Sequence, residues 1–210
     1  MVPPLFLLFM KKMFMMAIAT LISFAAYAEE KISDYSMSYF GEKTYDIEVT
    51  PVKNGSFTFY IYCEPKGNTE KIGFSLKSKK VEEFCSQLNA IKPKFEEWSK
   101  TAKDNSVTNY DKQFDTSFSS VDVFFLYGSK WCFTYGIRFK PYFKVTKDGE
   151  CLIVFNVGEL TAASNRFMST KGFMMVFKSS DEIDDFIKAL DTQRVLNKGE
   201  NDQKKDDLFK

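Results

Sequence analysis

Residues 172–190, GFMMVFKSSDEIDDFIKAL, decide the predicted fold, because an apolar run there leads directly into an amphipathic helix. Ser179 and Glu182 have the spacing of a capping box, which predicts where that helix begins. A similar stretch, IGFSLKSKKVEEFCSQL, occupies residues 72–88, and Ser78 is placed to cap its helix. The two strand–helix stretches predict an internal duplication.

Strands are predicted where apolar and polar residues alternate. In residues 56–63 the apolar positions share one face, and Tyr60 and Tyr62 form an outward pair on the other. An Asp148-Gly149 turn between two alternating runs predicts a hairpin over residues 142–157. The pattern is therefore one of antiparallel strands, with a helix at the end of each group.

We predict an α+β fold of two tandem antiparallel β-meander modules, each closed by a C-terminal helix, packed into one globule. The first module covers residues 29–103 and the second covers 121–195. The segment of residues 104–120 is long, polar and without regular periodicity, which indicates a linker. Residues 196–210 are charged and low in apolar content, which predicts a disordered tail. The element order resembles pleckstrin-homology-type and saddle-type folds, an analogy of architecture alone.

Residues 1–28 have the pattern of a cleaved signal peptide. Lys11 and Lys12 precede an apolar run, and an Ala-Tyr-Ala site ends at Ala28. Met10 is a more typical start than Met1 for such a leader. We expect an exported protein, periplasmic or secreted, with no transmembrane segment in the mature chain, since no apolar run of about 20 residues follows.

Histidine is absent from the sequence, which excludes Ser-His-Asp and Cys-His nucleophiles and histidine metal sites. No phosphate-binding, dinucleotide-binding or nucleophile-elbow motif is found. We therefore predict no catalytic residue, metal or cofactor. The 29 basic and 28 acidic residues nearly cancel, so nothing in the net charge favours nucleic acid.

The four cysteines allow a disulfide in an exported chain. Cys63 and Cys85 both face the predicted core of the first module and form the candidate pair. Cys132 is predicted on the polar face of its strand, and Cys151 is ambiguous. The alternative is that the cysteines are free thiols, packed as small apolar side chains.

Lys77, Ser78, Lys79 and Lys80 form a candidate anion site, because lysines surround the predicted start of the first helix. We expect these lysines only to solvate a sheet edge or loop, and anion binding is the alternative.

A second candidate site mixes aromatic and basic side chains, which together can stack on a ligand or anchor a protein interface. It consists of Tyr127, Trp131, Tyr135, Arg138, Lys140 and Tyr142. We expect a meander with its aromatic side chains inward and its lysines outward; a binding face is the alternative.

Together these features predict a non-catalytic, exported binding protein whose partner is an unidentified protein, peptide or envelope ligand. The alternative is a histidine-free hydrolase that attacks glycan or peptidoglycan with two carboxylates. Three acidic pairs are available, Glu82-Glu83, Glu96-Glu97 and Asp184-Asp185. All three are predicted on outer helix faces, where solvated charge is expected.

Overall fold

The computed structural model describes residues 29–41 and 43–208, so the predicted leader lies outside the described residues. The strands are β1 (Glu30–Ser36), β2 (Thr44–Val49), β3 (Thr58–Tyr62), β4 (Glu64–Pro65), β5 (Ile72–Lys77), β6 (Tyr110–Gln113), β7 (Val121–Tyr127), β8 (Lys130–Ile137), β9 (Tyr142–Val145), β10 (Cys151–Val157), β11 (Leu160–Ala162), β12 (Asn165–Thr170) and β13 (Phe173–Phe177). The helices are α1 (Val81–Asp104), α2 (Ser180–Ala189) and α3 (Thr192–Asp207). The predicted α+β class is confirmed.

The strands form three antiparallel sheets. The large sheet has the order β1-β2-β3-β5-β7-β8, and the small sheet has the order β4-β13-β10-β9-β6. Strands β11 and β12 make a separate hairpin. The Asp148-Gly149 turn joins β9 to β10 as predicted, with Val145 opposite Cys151 and Gly149 at a φ of +80° that suits glycine.

The two halves of the chain share sheets. Strands β7 and β8, from the predicted second module, extend the large sheet through the pairing of β7 with β5. Strand β4, from the predicted first module, pairs with β13 in the small sheet. Strand β6 lies inside the predicted linker and pairs with β9. The sheets therefore do not coincide with the predicted module boundaries, because backbone pairing joins segments far apart in sequence.

One aromatic core holds the layers together. Phe74 of β5 lies 5.6 Å from Phe84 of α1, 5.0 Å from Phe139 and 6.3 Å from Phe173 of β13, between ring centroids. All four rings are buried, and they belong to one hydrophobic cluster. Burial of rings this large contributes strongly to folding. Helix α1 therefore lies on the inner face of the large sheet, and the opposite face of that sheet points away from the core.

Both stretches that suggested a duplication form a strand followed by a helix. Ser179 caps α2 as predicted, since its side chain accepts a hydrogen bond from the Glu182 amide at 3.3 Å. Ser78 does not cap α1: a 3₁₀ turn, Ser78–Lys80, precedes the helix, and the Ser78 hydroxyl accepts instead from the Phe57 amide at 3.4 Å. Helix α1 continues through Pro93 as one element.

Residues 196–207 of the segment predicted as a disordered tail belong to α3. Val195 is buried, Lys198 pairs with Glu30, and Gly199 lies so close to Val52 that a Cβ there would be 2.7 Å from a Val52 methyl carbon. Composition indicated disorder because the helix is polar on most of its surface. Its order comes from a few contacts with β1 and with the loop after β2.

Candidate binding surface

The outer face of the large sheet carries a row of aromatic side chains that the core does not use. Alternation along β3 turns Phe59 and Ile61 into the core and Tyr60 and Tyr62 outward, as predicted. Strand β7 adds Phe124, and β8 adds Trp131. We call Tyr60, Tyr62, Phe124 and Trp131 the aromatic face.

The rings of the aromatic face contact one another edge to face. The centroid of Phe124 lies 5.2 Å from that of Tyr60, 5.2 Å from that of Tyr62 and 5.8 Å from that of Trp131. Phe124 is only 2% exposed, whereas Trp131 is 45% exposed. Phe124 is therefore the centre of the cluster, and Trp131 presents much of its surface to solvent.

Gly73 creates the space that Phe124 occupies. It stands directly opposite Phe124 in the pairing of β5 with β7 and opposite Tyr62 in the pairing of β3 with β5. A Cβ on Gly73 would lie 2.7 Å from Cζ of Phe124 and 2.0 Å from the Ile61 carbonyl oxygen. Because only glycine leaves room there, the ring of Phe124 can lie across β5 and link the two tyrosines to Trp131.

Carboxylates border the aromatic face on the side of β1 and β2. Glu48 lies opposite Tyr60 in the sheet, and its Oε2 accepts a hydrogen bond from the Tyr62 hydroxyl at 3.0 Å. Next to it, Lys31 bridges Asp34 at 2.9 Å and Asp46 at 2.7 Å. Lys31 is therefore already engaged by two carboxylates, whereas Glu48 has no ion-pair partner among the described residues.

The pKa values of Glu29, Tyr60 and Tyr62 are all raised at this border. Partial burial raises the pKa of Glu29, and the negative charge of Glu48 raises it further. Burial raises the pKa of Tyr60, with Glu29 adding to the effect. Burial also raises the pKa of Tyr62, as do the charges of Glu48, Glu29 and Asp46. These shifts describe a region of negative potential at one end of the aromatic face.

The structure exposes five of the six residues predicted as an aromatic and basic surface site, and it places the sixth, Tyr142, elsewhere. Tyr127, Trp131 and Tyr135 are exposed by 46%, 45% and 63%, so the expectation that they face the core is wrong. Arg138 and Lys140 are exposed as well. Tyr142 lies elsewhere, half-buried against the Leu152, Val154 and Val176 cluster of the small sheet.

Three residues of the aromatic face, Tyr60, Tyr62 and Phe124, were not among the predicted site residues. The outward tyrosine pair was visible in the alternation of β3. Phe124 gave no such signal, because the buried Val123 and Phe125 flank it in sequence and a glycine on another strand accommodates its ring. Its place on the outer face follows from the sheet register.

The candidate anion site remains a prediction. The Lys80 ammonium donates to the Ser120 carbonyl at 2.9 Å, and the Ser78 hydroxyl accepts from Phe57. Lys77 and Lys79 are exposed. Two of the four residues therefore already have partners within the protein.

All four cysteines are free thiols, so the candidate Cys63–Cys85 disulfide is not present in the structure. Cys63 is buried, and the Tyr35 hydroxyl contacts its sulfur at 3.8 Å. Cys132, predicted on a polar face, is only 2% exposed, and its sulfur lies 3.6 Å from that of Met168. The correction has a physical cause: the β11–β12 hairpin covers this side of β8.

A groove lies between α1, the β9–β10 turn and the start of α2, with a volume of about 660 Å³. Four carboxylates line it. Two of them are engaged, since Glu96 accepts from the Ser180 hydroxyl at 2.7 Å and Glu150 pairs with Lys178 at 2.8 Å; the other two are those of Asp104 and Asp181. Among the described residues, no group of three or more acidic or cysteine side chains is arranged to hold a metal ion.

Comparison with known protein families, curated proteins and solved structures finds no significant match to this chain. None of the three described helices combines the length and the apolarity that crossing a membrane requires.

Proposed function

We propose that this chain is a non-catalytic binding protein and that the aromatic face is its binding surface. The observation that carries the proposal is the Trp131 side chain, 45% exposed on an open sheet and supported from beneath by the buried ring of Phe124. A large aromatic side chain held in place by its neighbours loses little conformational entropy on binding. Such residues dominate the energetics of many interfaces.

The sequence and the local contacts support binding over catalysis. No histidine is present to act as a base, and two of the carboxylates in the groove beside α2 are engaged by Ser180 and Lys178. The tyrosine hydroxyls of the aromatic face and the carboxylates on its border are polar groups that suit recognition of a ligand. They orient a ligand through hydrogen bonds while the rings provide apolar contact.

Thermal unfolding against a panel of sugars, anions, lipid vesicles and peptides tests the proposal. A ligand at a hundred times its Kd stabilises by about 2.7 kcal/mol, which corresponds to a rise in Tm of about 5 to 10 °C for a protein of this size. Trp131→Ala should abolish the rise. The matched control is Phe167→Ala, which removes an aromatic ring that is 75% exposed outside the aromatic face. An unchanged rise in Trp131→Ala would overturn the proposal.

We also propose that the protein is exported, on the strength of the leader pattern in residues 1–28. Expression of the full chain followed by cell fractionation should recover a shortened protein outside the cytoplasm. Mass spectrometry should then find Glu29 as its first residue. A protein that keeps residues 1–28 and stays in the cytoplasm would contradict export without bearing on the aromatic face.

A further inference from the structure

The aromatic face is electrically asymmetric. On the side of β1 and β2, the carboxylates of Asp34 and Asp46 pair with the Lys31 ammonium, and the charge of Glu48 acts on Glu29. Lys31 lies opposite Glu48 in the pairing of β1 with β2 but forms its ion pairs with Asp34 and Asp46. Neither Glu29 nor Glu48 forms an ion pair with another described residue. The exposed lysines Lys77 and Lys130 lie at other borders, at the end of β5 and the start of β8.

The aromatic rings adjoin this acidic side directly. The Tyr62 hydroxyl donates to Glu48, and the Tyr62 ring contacts Phe124, which in turn contacts Trp131. A cation placed at Glu48 would therefore meet a carboxylate that lies beside the Tyr62 hydroxyl and opposite Tyr60 in the sheet. Carboxylates attract cations by charge, and aromatic faces attract them through the ring quadrupole.

We propose that the aromatic face binds an extended peptide segment of a partner protein, with a lysine or arginine end at Glu48 and an apolar end at Trp131. This inference rests on the proposed function and names the ligand class of that same surface. It commits to a peptide because the surface is an open sheet face, whereas small molecules are held in concave pockets that enclose most of their area. The acidic border disfavours nucleic acid and anionic membranes, since both present phosphate.

The dimensions of the sheet set the length of the peptide. Glu48 is on β2 and Trp131 is on β8, and the order β2-β3-β5-β7-β8 places four strand spacings between them. At about 4.8 Å per spacing, this distance is about 19 Å. An extended peptide rises about 3.3 Å per residue, so about six residues connect the two ends.

The test uses two hexapeptides of opposite charge, each with a fluorescent label on its N-terminus, label-Arg-Arg-Gly-Gly-Phe-Phe-amide and label-Glu-Glu-Gly-Gly-Phe-Phe-amide. Each is titrated with the protein and followed by anisotropy. The basic peptide should bind, and the acidic peptide should not. Raising the salt concentration should weaken binding of the basic peptide, since part of the attraction is between screened charges.

Two variants locate the contacts. Glu48→Gln keeps the side-chain shape and the hydrogen-bond acceptor for Tyr62 but removes the charge. It should weaken binding of the basic peptide about fivefold. Trp131→Ala should weaken it about thirtyfold. The matched controls are Glu97→Gln on α1, whose carboxylate pairs with Lys94, and Phe167→Ala; both should leave binding unchanged. Circular dichroism confirms that each variant is folded.

The outcomes separate the two claims. Failure of both peptides to bind, equal binding of the two peptides, or an affinity unaffected by Glu48→Gln would overturn the basic-peptide assignment. The proposed function would survive any of these results if another ligand of the panel lost its effect in Trp131→Ala. If the basic peptide binds, neither Glu48→Gln nor Trp131→Ala weakens its binding, and no ligand of the panel loses its effect in Trp131→Ala, both claims are contradicted.

Discussion

At the scale of single residues, Gly73 determines the shape of the aromatic face. It has no side chain, so Phe124 can cross β5 between Tyr62 and Trp131. The same position is tightly packed on its other side, against the Ile61 carbonyl. A single methyl group there would have to displace both the backbone of β3 and the ring at the centre of the cluster.

Gly73→Ala should therefore destabilise the protein by about 1 to 3 kcal/mol, which is the usual effect of overpacking. Urea unfolding followed by circular dichroism measures the change. Gly158→Ala is the matched control, because a Cβ at Gly158 meets no atom within 4 Å. If the two variants are equally stable, the tight packing around Gly73 is not as described.

The cysteines give a second prediction at this scale. Burial raises the pKa of Cys63, and it raises the pKa of Cys85 to about 11. Since the thiolate is the reactive form, both should react slowly with a thiol reagent at pH 8 in the folded protein. The rate for Cys85 should rise as the pH approaches 11.

A thiol titration of the denatured, unreduced protein should find four reactive thiols, in agreement with the structure. Two reactive thiols would mean that one disulfide has formed, and mass mapping would show whether it joins Cys63 to Cys85. Cys63→Ser and Cys85→Ser identify the signals in each experiment.

At the scale of elements, the two helices that follow β5 and β13 begin differently. The Ser179 hydroxyl caps α2, and the Glu182 carboxylate accepts from the Lys178 amide at 2.8 Å. Together these bonds satisfy two amides at the start of the helix. Helix α1 begins after a 3₁₀ turn, with no side-chain cap.

Ser179→Ala should thus cost about 1 kcal/mol of stability, as removal of a cap usually does. Ser78→Ala is the matched control at the corresponding place before α1. It should cost less, since the hydrogen bond that its hydroxyl accepts is long at 3.4 Å. Chemical denaturation of both variants measures the difference. A larger loss in Ser78→Ala would show that the two helix starts have been assigned the wrong roles.

Strand β8 shows where prediction from sequence reaches its limit. Trp131, Cys132 and Phe133 are consecutive and none is charged, so alternation alone does not say which face is buried. The register decides: Cys132 lies opposite the buried Phe125, and Trp131 lies opposite Leu126. The β11–β12 hairpin then covers Cys132. A contact formed by a distant hairpin leaves no trace in the local pattern of β8.

Prediction from sequence succeeded for features that depend only on residues close together in the chain. The Asp148-Gly149 turn, the capping box of Ser179 and the outward pair of Tyr60 and Tyr62 all depend on neighbouring residues, and all are found in the structure. Helix α3 is the opposite case. Its polar composition indicated disorder, and its order depends on the burial of Val195 and the approach of Gly199 to Val52.

At the scale of the whole molecule, the shared sheets predict cooperative unfolding. Strands β7 and β8 depend on β5, and β13 pairs with β4, so neither half of the chain keeps its sheet if the other unfolds. Urea unfolding followed by far-ultraviolet circular dichroism and by tryptophan fluorescence should give coincident transitions. Two separated transitions would instead support independent modules.

The central claim is that the aromatic face binds the ligand, and Trp131 can report on it directly. The chain has two tryptophans, and Trp98→Phe leaves Trp131 as the single one while keeping a ring to stack on Phe114. The measurement is Trp131 emission in this variant, titrated with each ligand that raises the Tm. The account predicts a saturable change in emission at the concentrations that stabilise the protein. A ligand that stabilises the protein and leaves Trp131 emission unchanged would contradict it.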